Sequence, residues 1–133
     1  MAPKVKLQGI VLDCTEPSRL AKFYADLLNW KAQDGQYDFS TVSAPEESII
    51  ISCQLDEDYT PPVWPGLRGD QMQMQHLDFI VDNLEAAVQY ALSLGAKKPL
   101  TQYWQPGWEA EWVTLLDPAG HPFCLCQEER THE

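Results

Sequence analysis

Positive charge is scarce in this chain: 9 lysines and arginines stand against 20 acidic residues, for a net charge of -11. Neutralising phosphates takes clustered Lys and Arg, so nucleic acid is excluded as a partner. The acidic balance suits a cationic ligand, although plain solubility is the simpler account of it. Long apolar runs are missing as well. Nothing approaches the roughly 18 consecutive apolar residues of a spanning helix, so no membrane is expected as a partner. The opening Met1-Ala2-Pro3-Lys4-Val5-Lys6-Leu7 has no apolar h-region of a secretory signal, which makes the cytoplasm the expected location. Cysteine is limited to Cys14, Cys53, Cys124 and Cys126, with no C-x-x-C pair. The C-x-C of Cys124-Leu125-Cys126 fits neither a zinc ribbon nor a redox pair, and the four are read as free thiols.

What is present is ample for a core. At 133 residues, with 44% hydrophobic and 11% aromatic content, the chain is one ordinary domain or two small modules sharing a core. Residues 5–14 read as a strand, with Gly9, Val11 and Asp13 on one face and Ile10, Leu12 and Cys14 on the other. Thr15-Glu16-Pro17 reads as a helix start with a capping hydroxyl. Leu20, Phe23, Tyr24, Leu27 and Leu28 form the apolar stripe that follows, ending near Asn29. Strands are expected over 36–43 and 48–55, around an Ala44-Pro45-Glu46-Glu47 turn. Residues 56–72 carry three prolines and two glycines and read as an irregular linker.

A second strand–helix unit runs from Met74 to Leu94. Its alternation sends His76, Asp78 and Ile80 to one face and Leu77, Phe79 and Val81 to the other. Asp82-Asn83 offers a helix N-cap, Leu84, Ala87, Val88, Ala91 and Leu92 a buried stripe, and Gly95 a C-cap. A Trp-rich segment at 102–112, a strand at 112–116, the turn Asp117-Pro118-Ala119-Gly120 and a last strand from Pro122 to Gln127 complete the order, with a polar tail from Glu128. The halves superpose at a constant offset: Gln8 falls on Gln75, Gly9 on His76, Leu12 on Phe79, Phe23 on Tyr90 and Leu27 on Leu94. An internal repeat near half the chain length means two similar modules that together bury what one would expose.

Three stretches resemble the vicinal oxygen chelate superfamily of glyoxalases, bleomycin-resistance proteins and extradiol dioxygenases, and its glyoxalase-like subgroup most closely. They are the helix segment Leu20-Ala-Lys-Phe23-Tyr24-Ala-Asp-Leu27-Leu28-Asn-Trp30, the strand–helix His76-Leu-Asp-Phe-Ile-Val-Asp82-Asn-Leu84 with Leu94-Gly95-Ala96, and the hairpin Asp117-Pro118-Ala-Gly120-His121-Pro122-Phe123. The resemblance implies an α+β fold: a single domain of two βαβββ modules, about 5–55 and 73–128 around the 56–72 linker, forming a half-open barrel with a central cleft. It also implies a homodimer. Metal-using members bring four ligands into that cleft from the first and last strands of each module. Carried over, those positions fall on Gly9 or Gln8, near Ile51 to Cys53, on His76, and on Cys124 where Glu is usual. One certain ligand falls short of the three or more that a divalent ion wants.

The residues themselves leave several roles open. His76 can ligate a metal, move a proton or wall a pocket, and Asp78 can orient it, act as base, or simply pair with an amide or an arginine. Asp13, on the matching face of the first strand, has the same choices. Cys124 and Cys126 share a face and read as small hydrophobes in a pocket wall rather than nucleophiles. His121, after Gly120, reads as an exposed turn residue. Pro106-Gly107 breaks the four-residue spacing of Trp104, Trp108 and Trp112, so these read as a loop able to stack a planar or cationic ligand or to pack on the core. The expectation is a small-molecule-binding protein with no cofactor, holding its ligand through His76, Asp78, Asp13, Trp104, Trp108, Trp112 and Cys124, with His76 and Asp78 as candidate catalytic groups. The alternative is a metal-dependent lyase, isomerase or dioxygenase with a divalent ion on His76.

Overall fold

The computed structural model describes residues 2–35 and 38–129. Gln36 and Tyr37, the start of the strand expected at 36–43, lie outside the described residues, as does the tail from Arg130. The chain divides into two compact units, Met1–Tyr59 and Thr60–Glu133. Among the described residues no helix is long and apolar enough to cross a membrane.

The first unit is a complete βαβββ module. Its elements are β1 (Gly9–Cys14), α1 (Pro17–Leu28), β2 (Lys31–Asp34), β3 (Phe39–Ser43) and β4 (Ile50–Leu55), in a sheet ordered β1-β4-β3-β2. β1 runs parallel to β4, with Gly9 opposite Ile50 and Val11 opposite Ser52. A Cβ on Gly9 would run into the Ile50 carbonyl, so this register requires glycine there. Helix α1 buries Leu20, Ala21, Phe23, Tyr24 and Ala25, with Phe23 and Tyr24 edge-on at 5.0 Å, against a sheet face built from Cys14, Val42, Ile51 and Cys53. The capping expectation for α1 needs correcting. The N-cap residue is Glu16 and it makes no side-chain cap bond, so the helix start rests on Pro17 in its first turn. The unit's outer strand is pinned instead by Asp34, whose carboxylate accepts from Ser18 of α1 at 2.8 Å and Ser40 of β3 at 2.9 Å.

The second unit has one strand fewer. It comprises β5 (Leu77–Val81), α2 (Leu84–Ser93), β6 (Trp112–Leu116) and β7 (Pro122–Gln127), in a sheet ordered β5-β7-β6. Where the repeat calls for a further strand beside β6, only an isolated bridge between Lys97 and Leu116 forms. Beyond that bridge a side chain does the work of backbone. The Gln102 amide donates to the Thr114 carbonyl and accepts from the Thr114 N–H, both at 2.9 Å, so this part of the outer edge of β6 keeps its hydrogen bonds. Asn83 caps α2 as expected, accepting from Ala86 N at 3.0 Å. Gln127 of β7 adds a second clamp, accepting from Leu84 N at 2.9 Å and donating to Asp82 O at 2.7 Å. Leu84, Val88 and Ala91 of α2, with Leu115, Phe123 and Leu125 of the sheet, make the buried core, and Phe79 meets Phe123 edge-on at 6.0 Å. The α+β class of two small sheets and two helices is the one expected from the sequence, and neither sheet closes on itself.

Candidate functional site

Because strand side chains alternate, the second sheet has a face turned away from its apolar core, and that face carries the polar chemistry. Register aligns its rows. Asp78 of β5 lies opposite Cys124 of β7, and Cys124 opposite Thr114 of β6; the next row is Ile80, Cys126 and Trp112. His76 stands just before β5, and its Nε2 is 3.1 Å from Oδ1 of Asp78, with the two side chains 40% and 62% exposed. At that exposure the pair contributes little stability, so its value is in presenting polar groups. Cys124 is buried, its Sγ 3.3 Å from Thr114 Oγ1. One ligand atom each from His76, Asp78 and Cys124 lies within 4.8 Å of the others.

Electrostatics keep both thiols protonated. Burial pushes Cys124 above its ordinary pKa; the Thr114 hydrogen bond opposes this, and the neighbouring Asp78 charge adds to it. Cys126 moves the same way, by burial first and the Asp78 charge second. Thiols held neutral in this way are poor nucleophiles.

These groups open into a cavity of about 500 Å³ within the second unit. Three aromatic side chains wall it: Trp64, Tyr103 and Trp112. Trp64 and Tyr103 meet edge-on at 5.6 Å, which holds the Pro-rich stretch against the loop after α2. His76, Asp78, Thr114, Cys124 and Cys126 furnish the polar and sulfur-bearing wall, with Gln73 beside them. Gln73 Oε1 is shut off from solvent and has no hydrogen-bond partner among the described residues.

The sequence-derived candidates distribute unevenly over this geometry. His76, Asp78, Trp112 and Cys124 come together in the cavity wall. Trp104 and Trp108 are not among its walls. Trp104 donates from Nε1 to Ala110 O at 2.7 Å and so braces its own loop, while Trp108 packs on Trp112 with centroids 5.5 Å apart. Asp13 belongs to the first unit, exposed on β1. His121 sits in the turn between β6 and β7, where its N–H donates to the buried Asp117 carboxylate at 3.0 Å. Trp64, Tyr103, Gln73 and Thr114 were not read from the sequence as site residues. Thr114 was reachable, since alternation along β6 puts it on the face of Trp112; Gln73 and Trp64 sit in irregular chain where no period exists to read.

The glyoxalase-like domain profile matches residues 9–126, and the chain belongs to that family. Among curated proteins none matches at a significant level. A glyoxalase/bleomycin resistance protein/dioxygenase family enzyme from Burkholderia phytofirmans PsJN superposes with a TM-score of 0.69 at 15% identity, over 92% of this chain and 98% of its own. The fosfomycin resistance protein FosX from Listeria monocytogenes gives 0.66 at 12% identity, over 100% and 97%. A glyoxalase/bleomycin resistance protein from Albidiferax ferrireducens T118 gives 0.62 at 13%, over 92% and 98%. At such identities the likeness speaks for the fold alone.

Proposed function

We propose that this chain is a small-molecule-binding protein of the glyoxalase/bleomycin-resistance type, whose binding site is the cavity of the second unit and which works without the family's full metal set. The observation that carries the reading is the wall composition: three aromatic rings in one wall set with a His76–Asp78 pair, with no Lys or Arg lining it among the described residues. Such a cavity favours a planar, neutral or cationic guest, stacked on Trp64 or Trp112 and oriented by Asp78 and His76. Titration with a planar cationic dye, followed by tryptophan quenching, tests it. Saturable quenching without consumption of the dye is expected, and Trp112→Ala should weaken it by about 5- to 30-fold, the weight of one desolvated cation–π contact. A dye turned over by the wild type, or bound equally by Trp112→Ala, counts against the reading.

A second reading has one observation behind it, the closeness of donor atoms on His76, Asp78 and Cys124. The family resemblance implies a divalent ion, and the fit of these residues is partial. His76 and Asp78 stand at a separation two ligands of one ion can have, but 4.8 Å is wide for the whole set when metal–ligand bonds are about 2.0–2.3 Å. Cys124 would also have to give up a proton that burial holds in place. In the first unit the matching rows offer Gly9, which cannot bear a side chain, and Ser52. If held, the ion would sit on His76, Asp78 and Cys124 and would supply Lewis-acid polarisation of a bound oxygen. Stoichiometric metal in protein purified without chelators, lost in His76→Ala, would put this reading first.

A further inference from the structure

Two of the chain's four thiols stand in the cavity wall. Cys124 and Cys126 alternate onto one face of β7, the first buried and the second half-buried. Burial is the main cause that raises the pKa of Cys124, and the charge of Cys126 is among the lesser ones, so the two sulfurs lie within electrostatic reach of each other. A nitrogen donor is at hand as well. His76 offers a ring nitrogen within 4.8 Å of Cys124 Sγ. Sulfur and nitrogen bonded at about 2.3 and 2.1 Å are about 3.6 Å apart across a tetrahedral ion, and about 4.4 Å apart when collinear through it. A span of this order therefore admits an ion of low coordination number without drawing the strands together. Thr114 Oγ1, 3.3 Å from Cys124 Sγ, can donate to the thiolate once its proton has left. No lysine or arginine among the described residues lines the wall to repel a cation, and Asp78, opposite Cys124, adds a negative charge.

From this donor set we infer that Cys124, Cys126 and His76 form a binding site for a soft, thiophilic cation of low coordination number, of which copper(I) is the type. Thiolates select soft ions, whereas hard divalent ions want carboxylate, carbonyl and water oxygens. Each sulfur–metal bond replaces an S–H bond, so binding releases one proton per thiol and leaves every oxidation state unchanged. The site goes beyond the planar-guest reading, which rests on the aromatic side of the same wall, and a different probe tests it.

Reduced protein, kept free of oxygen, is titrated with copper(I) held by bicinchoninate, a chromophoric competitor. About one equivalent per chain should pass to the protein, with release of about two protons. Iodoacetamide mapping of the wild type then locates the ion. Copper(I) should shield Cys124 and Cys126 and leave Cys14 and Cys53, both buried in the first unit, as they were. This arm needs no variant, so a substitution that fails to fold does not remove the test. Cys124→Ser should weaken binding by at least about 100-fold, and Cys126→Ser and His76→Ala by about 10-fold each, losses at or above those of supporting residues around a metal. Copper(I) left on bicinchoninate overturns the inference. So do shielding confined to Cys14 and Cys53, Cys126→Ser binding as tightly as wild type, and displacement of copper(I) by an equal concentration of zinc. Copper(I) bound in this way by protein that quenches with no dye upholds the thiol site and sinks the planar-guest reading alone.

Discussion

The two halves of this molecule are the same design carried to different ends. In the first sheet the middle row reads Val11, Ser52, Thr41 and Gln33 across four strands; in the second it reads Asp78, Cys124 and Thr114 across three. Threonine is common to both, and so is the parallel pairing of opening and closing strands. The changes at the other positions make the first face chemically quiet and the second a candidate site. Gly9 against His76 is the plainest contrast. The glycine is imposed by the approach of the Ile50 carbonyl, so the first module has no room for a ligand at the position where the second presents an imidazole. The lost strand is part of the same trade. Where the first unit spends Lys31–Asp34 on an edge strand, the second leaves residues 98–111 irregular, and that segment brings Tyr103 to the cavity wall. A module that gives up a strand gains a wall.

The strongest way to break this comparison is at the substitute for the missing strand. Gln33 and Gln102 both stand beside the threonine of the third strand, but Gln33 pairs with Thr41 through backbone and Gln102 holds Thr114 through its side chain. Gln102→Leu therefore leaves a backbone N–H and a C=O of β6 without partners, at a cost of about 1–3 kcal/mol. Gln33→Leu, on an exposed strand whose ladder is untouched, should stay within about 0.5 kcal/mol. Urea denaturation of the two variants measures the difference, and hydrogen exchange at the Thr114 amide should quicken in Gln102→Leu alone. Equal costs would mean that the second edge is held by something other than this amide.

Much of the scaffold was legible because it repeats a period. Asn83 as cap, the Gly95 stop at φ +112, and the last hairpin at 112–116 and 122–127 all follow from local chemistry that tertiary contacts did not override. β2 was missed for a physical reason: all four of its residues are exposed, so no alternation of apolar and polar marks it. Thr15 looked like a cap and is not one, because helix α1 begins a residue later than a capping hydroxyl there would require. Within the site, alternation placed His76 and Asp78 on one face, and strand register brings Cys124 beside Asp78. Gln73 and Gln102 were out of reach, since glutamines in irregular chain carry no signal of what their amides will meet.

The caps offer a smaller test. Helix α2 is held at its start by Asn83 and by Gln127, whereas α1 has no side-chain cap at all. Asn83→Ala should cost about 1 kcal/mol. Glu16→Ser supplies the missing cap of α1 and should gain about 0.5 kcal/mol, after discounting the exposed Glu16–Arg19 pair at 3.2 Å that it removes. Chemical denaturation reads both. If Glu16→Ser destabilises, the two helix starts differ in backbone geometry and not merely in the residue that sits there.

The last contrast is electrostatic and is visible as a rate. Asp78 has Val11 as its counterpart, so the second sheet sets a carboxylate opposite Cys124 where the matching row of the first sets Val11 opposite Ser52. A thiol whose pKa is raised on folding binds its proton more tightly in the folded state. The stability this contributes is whole below the ordinary thiol value and is lost as pH rises through the raised one. Alkylation of Cys124 and Cys126 by iodoacetamide, resolved by mass spectrometry, should accordingly turn on at higher pH than in the unfolded chain. Asp78→Asn removes one of the causes and should shift both profiles toward lower pH, Cys124 and Cys126 together, because the same charge acts on each. Cys14 and Cys53, buried in the first unit at 1% and 0% exposure, are limited by access and should not respond. Profiles unmoved by Asp78→Asn would leave burial as the main cause and would remove the carboxylate from the thiols' electrostatics, though not from the cavity wall.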